Sequence, residues 1–365
     1  MPDKASASTL ILNTWYVAAH IEELEEGRTI GRRIADRPIV LWRSFEGTVH
    51  AFDDICPHRK APLSMGEVTN NLGLRCPYHG FTFAGDGRCS NVPGQDKIPE
   101  QWRIEPYPII ERFGCIWIWL GDPKGSHDET SIPQFMEFGI EPYKVRAGMI
   151  PVDGDYRLLV DNLLDPTHAE FVHRTSFGSS DLSAAQGPDK ADERPTEEFE
   201  VAIEDDKISF DYRLINSRGG PCFRQAYSMR DGLQDDENID YIMHVDWQPP
   251  GLFSYCMDLN AAQAQDDNHL RLVNLHILTP ETERTTHYFY RCSVLNDGER
   301  DGILDYWHEI DQMAFNEDKV IVEAQQKIIG EEDLFADRKL WARASDQMNV
   351  MGRRILKRME ESQAR

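Results

Sequence analysis

Apolar residues along this chain fall first into short strand-like runs and only near the end into helical spacing. From Leu10 the run Leu-Ile-Leu-Asn-Thr-Trp15-Tyr16-Val-Ala-Ala is aromatic and apolar enough to pack on a core, and Pro38 to Trp42 reads as a short buried strand. The Gly-rich segment Gly80 to Gly94 suggests hairpins, and Phe113 to Leu120 alternates as a half-buried strand. Residues Gly121 to Pro133 hold Gly, Pro, Ser and charged side chains without an apolar period, which marks a linker. Two domains follow, 1–133 and 134–365. The second opens with a strand-like stretch around Tyr143 to Val152, and residues 178–198 are polar enough to predict a mobile loop. Lys207–Leu214, Tyr241–Trp247, Leu252–Met257, Leu270–Leu278 and Thr286–Ser293 then read as successive strands, and Arg300–Ile329 and Leu334–Glu361 as helices. The fold class is α+β, a small all-β domain followed by an antiparallel sheet with helices.

Composition narrows the partners. The chain has 365 residues and a formal net charge of -24, which disfavours nucleic-acid phosphates and anionic membrane surfaces. Such acidity suits solubility or the steering of a basic redox partner. The longest clean apolar run, Cys115 to Leu120, is far short of a membrane span, and the first thirty residues lack a basic-then-apolar signal, so a cytoplasmic protein is expected. Beyond Cys56 and Cys76, Cys89, Cys115, Cys222, Cys256 and Cys292 lack framework spacing and read as reduced core thiols.

The chemistry concentrates between Cys56 and His79. Cys56-Pro57-His58 and Cys76-Pro77-Tyr78-His79 are two arms that each offer one thiolate and one imidazole. Structural zinc is one reading, but its sites usually pair Cys with Cys and His with His. Mixed arms suit a 2Fe-2S cluster in which Cys56 and Cys76 hold one iron while His58 and His79 hold the other. The box resembles that of the Rieske proteins. Respiratory members carry an additional Cys in each arm, whereas the matching positions here, near Ala61 and at Tyr78, are not Cys. The box therefore looks like that of bacterial Rieske oxygenases and their ferredoxins, and a ferredoxin would end soon after residue 120.

A second constellation is Asp161-Asn-Leu-Leu-Asp165-Pro166-Thr-His168-Ala-Glu-Phe-Val-His173. Asp165 as N-cap with Pro166 behind it is a favourable helix start. His168 and His173 with a carboxylate suggest a 2-His-1-carboxylate Fe(II) site, the alternative being a cap beside a partly buried histidine. Five residues apart, the two rings diverge by about 140° on an ideal helix, so the backbone must be distorted, and a π-type turn is one way.

Taken together, Cys-x-His/Cys-x-x-His and, about ninety residues on, Asn-x-x-Asp-x-x-His-x4-His resemble the oxygenase component of Rieske non-haem iron oxygenases. The vanillate and dicamba O-demethylase group is the nearest, through Asn13-Thr-Trp-Tyr-Val-Ala-Ala, Asp161-Asn-Leu and His276-Ile-Leu-Thr-Pro-Glu-Thr-Glu283. The resemblance implies a helix-grip catalytic domain and a third iron ligand from the segment Glu317 to Glu323. Asp318 is the choice, because Trp307, Asp311, Ala314, Asp318 and Val322 form one helical stripe, while Glu317 and Lys319 suit solvated faces. It also implies that Asp165 links His79 of one subunit to His168 of the next in a homotrimer; a plain N-cap is the alternative. His276 and Trp307 match positions lining the substrate pocket in dicamba-type relatives, with a strand histidine and a core tryptophan as the bland readings.

The chain has no dinucleotide fingerprint or P-loop, so the resemblance assigns nicotinamide and flavin to a separate reductase or ferredoxin. The implied reaction uses O2 on a small aromatic acid, most specifically O-demethylation with release of formaldehyde. Ring or alkyl hydroxylation is the alternative, and an electron-transfer or structural-metal protein without a second iron is more distant.

Overall fold

The computed structural model describes residues 9–122, 127–139, 143–177, 196–204, 206–232, 237–261, 269–295, 302–332, 341 and 346–363. The chain divides into two compact units, one ending at Pro133 but including Thr279–Glu283, the other comprising Gln134–Leu278 and the chain from Arg284.

The first unit is built from short antiparallel strands in three sheets. β1 (Thr14–His20), β10 (Cys115–Leu120) and β9 (Ile109–Arg112) make one; β2 (Thr29–Ile34), β3 (Arg37–Arg43) and β4 (Val49–Asp53) make another. The third joins β5 (Glu67–Thr69), β6 (Gly73–Arg75), β7 (Thr82–Phe83) and β8 (Cys89–Asn91). β10 corrects the half-buried expectation: all six of its residues are buried. It is the middle strand of its sheet, and Ile116, Ile118 and Leu120 pack into one apolar cluster with Tyr16, Leu41 and Ala51. The hairpin tip Thr279–Glu283 is bonded into this unit. Thr279 donates its hydroxyl to the carbonyl of Val17 at 2.8 Å, and the N–H groups of Ala35 and Asp36 donate to the carbonyls of Pro280 and Glu281 at 2.8 and 2.9 Å.

The second unit is a seven-stranded sheet with helices. Its strands are β11 (Lys144–Val152), β12 (Thr196–Glu204), β13 (Lys207–Ser217), β14 (Ile239–Gln248), β15 (Leu252–Ala261), β16 (Leu270–Pro280) and β17 (Thr286–Leu295), in the order β11-β17-β16-β15-β14-β13-β12. Burial along β14 alternates, whereas β16, in mid-sheet, is buried at nearly every position. The loop expected at 178–198 lies outside the described residues up to 195, and its last three positions open β12. Of the helix expected from Leu334, residues 334–340 and 342–345 lie outside the described residues.

Helices α1 (Tyr156–Leu163) and α2 (Ala169–Val172) flank a 3-10 turn at Pro166–His168; α3 is Pro221–Asp231, α4 Ile303–Ile329 and α5 Gln347–Gln363. α3 interrupts what reads as continuous strand, and its ends follow local chemistry: Pro221 takes the first turn, where its missing N–H costs nothing, and Gly232 closes the last turn at φ 71°. The α4 stripe of Trp307, Asp311, Ala314, Asp318 and Val322 is buried throughout. α5 closes over α1 through ion pairs. Arg157 contacts Asp155 and, at 3.0 Å, Glu360, while Arg353 donates from Nε to both oxygens of Asp161 at 2.9 Å. Gly352 permits this approach, since a Cβ there would meet Leu164 Cδ1 at 2.6 Å.

Two candidate metal centres and an adjoining cavity

The two arms of the first unit repeat one backbone design. Cys56 N–H donates to the carbonyl of Ala61 and Lys60 N–H to that of Cys56, both at 2.8 Å; Cys76 N–H donates to Phe81 at 2.8 Å and Gly80 N–H to Cys76 at 3.2 Å. The fifth residue of each arm is left-handed, Lys60 at φ 61° and Gly80 at φ 73°, and at Gly80 a Cβ would also meet Pro93 Cγ at 2.8 Å. This turn sends both cysteines inward and both histidines outward. Cys56 and Cys76 are buried, whereas His58 and His79 are exposed with ring centroids 4.6 Å apart.

The donor set discriminates between the metal readings. A tetrahedral zinc needs its donors about 3.5 Å apart. Among the described residues, the group of three or more ligating side chains whose donor atoms all lie within 4.8 Å of one another is His168, His173 and Asp318, not this quartet. Thiol instead lies beside thiol and imidazole beside imidazole, as two irons require. Burial pushes the Cys56 thiol up to about 11, with the neighbouring Cys76 adding to the rise and main-chain N–H groups opposing it.

In the second unit the distortion needed between His168 and His173 is present, but not as a π turn. Asp165 caps the 3-10 turn, its carboxylate accepting from Thr167 N at 2.9 Å, and Pro166 opens it. One α-helical turn follows, and His173 sits just past its end at φ -92°, ψ 39°. Leaving the helix swings its ring back, so the Nε2 atoms of His168 and His173 stand 3.1 Å apart, each 3.4 Å from Asp318 Oδ1. Two imidazole nitrogens and one carboxylate oxygen converging on one point are the donor set of non-haem Fe(II).

The outer nitrogens fix this arrangement. His168 Nδ1 contacts the main-chain carbonyl of Asp165, so the contact runs through backbone rather than through the Asp165 carboxylate. His173 Nδ1 lies 3.0 Å from Glu317 Oε2, which also accepts from Ser176 Oγ at 2.6 Å, and Thr175 donates to the other oxygen. An acceptor at each Nδ1 holds a proton there, so a neutral ring turns its Nε2 lone pair toward Asp318 and a protonated ring donates its Nε2–H to that carboxylate. Glu317 therefore departs from the solvated role read from its helix position. Burial raises the Asp318 carboxyl, but hydrogen bonds and charge from His168 and His173 outweigh it and hold the group well below the usual carboxylate range. Burial lowers His173, and Asp318 and Glu317 more than reverse this. Asn162, the next-to-last residue of α1, donates to Asp318 Oδ1 at 2.9 Å.

A cavity of about 770 Å³ opens beside this triad, lined by Phe177, Phe199, Phe223, Tyr241, Asn274 and His276 among others. His276 is fully buried, and burial drives its pKa down to about 3, so the ring is neutral. Its Nδ1 lies 2.6 Å from Tyr288 Oη. Trp307 is not in the lining. It lies behind the wall, with its ring centroid 5.6 Å from both Phe177 and Phe223, because its place on the α4 stripe turns it into the core.

Comparison with known proteins agrees with both centres. Residues 14–108 match the Rieske [2Fe-2S] domain family and 152–362 the vanillate O-demethylase oxygenase C-terminal domain family. The oxygenase component of dicamba O-demethylase from Stenotrophomonas maltophilia is 36% identical over 87% of this chain and 89% of its own length. The iron-sulfur subunit of the toluene-4-sulfonate monooxygenase system of Comamonas testosteroni is 29% identical over 96% of each. A crystal structure of dicamba monooxygenase bound to 3,6-dichlorosalicylic acid superposes with a TM-score of 0.83 at 32% identity, covering 98% of this chain and 99% of that one. Another structure of that enzyme contains non-haem iron and dicamba. With one unit for a 2Fe-2S cluster and one for a mononuclear iron, this chain belongs to the Rieske non-haem iron oxygenases, as an oxygenase component.

Proposed function

We propose that the chain is the terminal oxygenase of a system that demethylates a methoxylated aromatic acid. The observation that carries this reading is the likeness to dicamba O-demethylase over nearly the whole chain, together with an aromatic-walled cavity beside the His168, His173 and Asp318 cluster. Cys56, His58, Cys76 and His79 hold the 2Fe-2S cluster; His168, His173 and Asp318 hold the iron. When bound, the cluster relays single electrons from a reductase or ferredoxin, and the iron supplies dioxygen activation. The chain's own residues do the rest. Phe177, Phe199 and Phe223 offer an aromatic ring stacking surface and keep water from it. His276, neutral and unpartnered at Nε2 among the described residues, meets a polar substituent without the desolvation cost of a buried cation.

Insertion of one oxygen atom into a methyl C–H bond gives a hemiacetal that separates into a phenol and formaldehyde; the second oxygen leaves as water with two electrons and two protons from the donor system. In a homotrimer, Asp165 connects the cluster His79 of one subunit to His168 of the next. The test is oxygen uptake and formaldehyde release with a panel of methoxylated and plain aromatic acids, supplied with a reductase. Formaldehyde in step with oxygen consumption is expected. An alcohol or diol without formaldehyde would sink demethylation in favour of hydroxylation.

A further inference from the structure

β16 carries two polar side chains to the cavity, Asn274 and His276, two positions apart and hence on one face of the strand. Asn274 is only 4% exposed, and its amide is held from two sides. Trp307 Nε1 donates to Asn274 Oδ1 at 3.0 Å, and Asn274 Nδ2 donates to Asp311 Oδ1 at 2.7 Å. An indole N–H can only donate, and Asp311 lies on the opposite side as an acceptor, so the oxygen and nitrogen of the amide cannot be exchanged. One N–H of Nδ2 is thereby used. The other has no partner among the described residues, in a residue that lines the cavity.

The neighbouring donor is fixed by a similar elimination. Tyr288 Oη has His276 Nδ1 as its hydrogen-bond partner among the described residues, so its O–H donates there and the imidazole proton sits on Nε2. Nε2 is itself buried and without a partner among the described residues. Lys and Arg are absent from the described lining of the cavity. Asp311, fully buried on the α4 stripe, contributes no contact to the cavity lining and has no catalytic position.

We infer that Asn274 is a substrate-orienting residue, a neutral N–H donor that accepts no exchange of its amide because Asp311 and Trp307 lock it, and that it binds an acceptor oxygen of an aromatic acid alongside His276. This rests on the proposed aromatic-acid reading and adds a recognition group to it. Asp311 and Trp307 are positioning residues that act through Asn274. An amide held in advance loses little rotational freedom on binding, so it discriminates by geometry as well as by attraction. An aromatic lacking the acceptor leaves that N–H buried and unpaired, which makes the site selective against it.

The test uses the loaded oxygenase and its binding of methoxybenzoates, benzoate and toluene-4-sulfonate, measured by calorimetry without turnover. Asn274→Leu should weaken binding of the acid bound best by about tenfold, as loss of one hydrogen bond implies. Cluster absorbance and iron content should not change. Asp311→Leu should weaken it similarly, and the double variant no further than Asn274→Leu alone, since both remove one interaction. Asp311→Asn, which keeps the volume and an acceptor oxygen, should retain most of the affinity and serves if the leucine variant does not fold. Product per oxygen consumed should fall in Asn274→Leu, because a misplaced ring leaves more oxygen spent without product. Unchanged affinity in Asn274→Leu, or additive losses in the double variant, overturns the role of Asn274. Tight binding without formaldehyde removes demethylation and leaves Asn274 standing, whereas failure of the wild type to bind any of these acids overturns both.

Discussion

His168 and His173 present the same atom, Nε2, to Asp318, yet one ring leans on a neutral carbonyl and the other on a carboxylate. A hydrogen bond to a charged acceptor is worth about 1.5–3 kcal/mol, so Glu317 does more to hold its ring than the backbone does for His168. Glu317→Gln keeps the shape and removes the charge. Its expected result is iron bound roughly tenfold to a hundredfold more weakly in chelator competition, with cluster absorbance intact; unchanged iron affinity would show that the carboxylate is dispensable. Asp318 was legible in the sequence because a carboxylate on an apolar stripe has to meet a partner. Glu317 was not, because what turns it inward comes from Thr175, Ser176 and His173, more than 140 residues earlier in the chain. The same limit applies to Trp307, whose indole is spent on Asn274 rather than on the cavity, and to Asn274 itself, whose partners Trp307 and Asp311 lie more than 30 residues away on α4.

At the scale of elements, the triad depends on how α1 is held. α1 supplies Asn162, and it is pinned by α5 through the Arg353 and Asp161 pair and by Asn349, whose Nδ2 donates to the Asp161 carbonyl at 2.5 Å. Asp161 is largely buried, and burial raises its carboxyl even though Arg353 opposes the shift. Removing Arg353 leaves that carboxyl without its cation. Arg353→Ala is therefore expected to cost about 2 kcal/mol locally, a figure kept low because the arginine is one-third exposed. In hydrogen exchange the amides of Tyr156–Leu163 should then open roughly thirtyfold more readily, and unaltered exchange there would mean that apolar packing alone fixes α1. The sheet strands were readable because apolar runs bounded by turns admit few other structures. α3 was not read, although Gly220-Pro221 and Gly232 are ordinary helix boundaries, because its few apolar positions sit between strand-like runs and its residues favour neither state strongly. β10 looked half-buried because alternation of tryptophan with isoleucine mimics two faces of different polarity, while in a middle strand both faces are covered.

For the whole molecule, the proposed bridge makes a prediction that no single chain can satisfy. Asparagine caps a helix as well as aspartate does, so Asp165→Asn should preserve the turn and the carbonyl contact to His168 while removing the negative charge that the proposed bridge offers to His79 of the neighbouring subunit. Cys56→Ser should abolish the cluster and leave the iron site intact. Each protein alone is expected to be inactive, yet mixed oligomers of the two should turn over, because a cluster on the Asp165→Asn chain can serve an unaltered Asp165 on its neighbour. Absence of recovery in oligomers verified as mixed would rule out transfer between subunits. No helix among the described residues is long and apolar enough to cross a membrane. The hairpin tip Thr279–Glu283 has a separate bearing on how such a chain can be cut or recombined. The linker before Pro133 invites division there, but a fragment ending at that point would lack five residues of its own unit, leaving the N–H groups of Ala35 and Asp36 and the carbonyl of Val17 without their acceptors and donor. The cluster half is thus not a cassette: exchange between relatives by a single crossover near residue 133 would graft one parent's hairpin tip onto the other parent's strands, and compatibility at those few hydrogen bonds becomes a condition for a working chimaera.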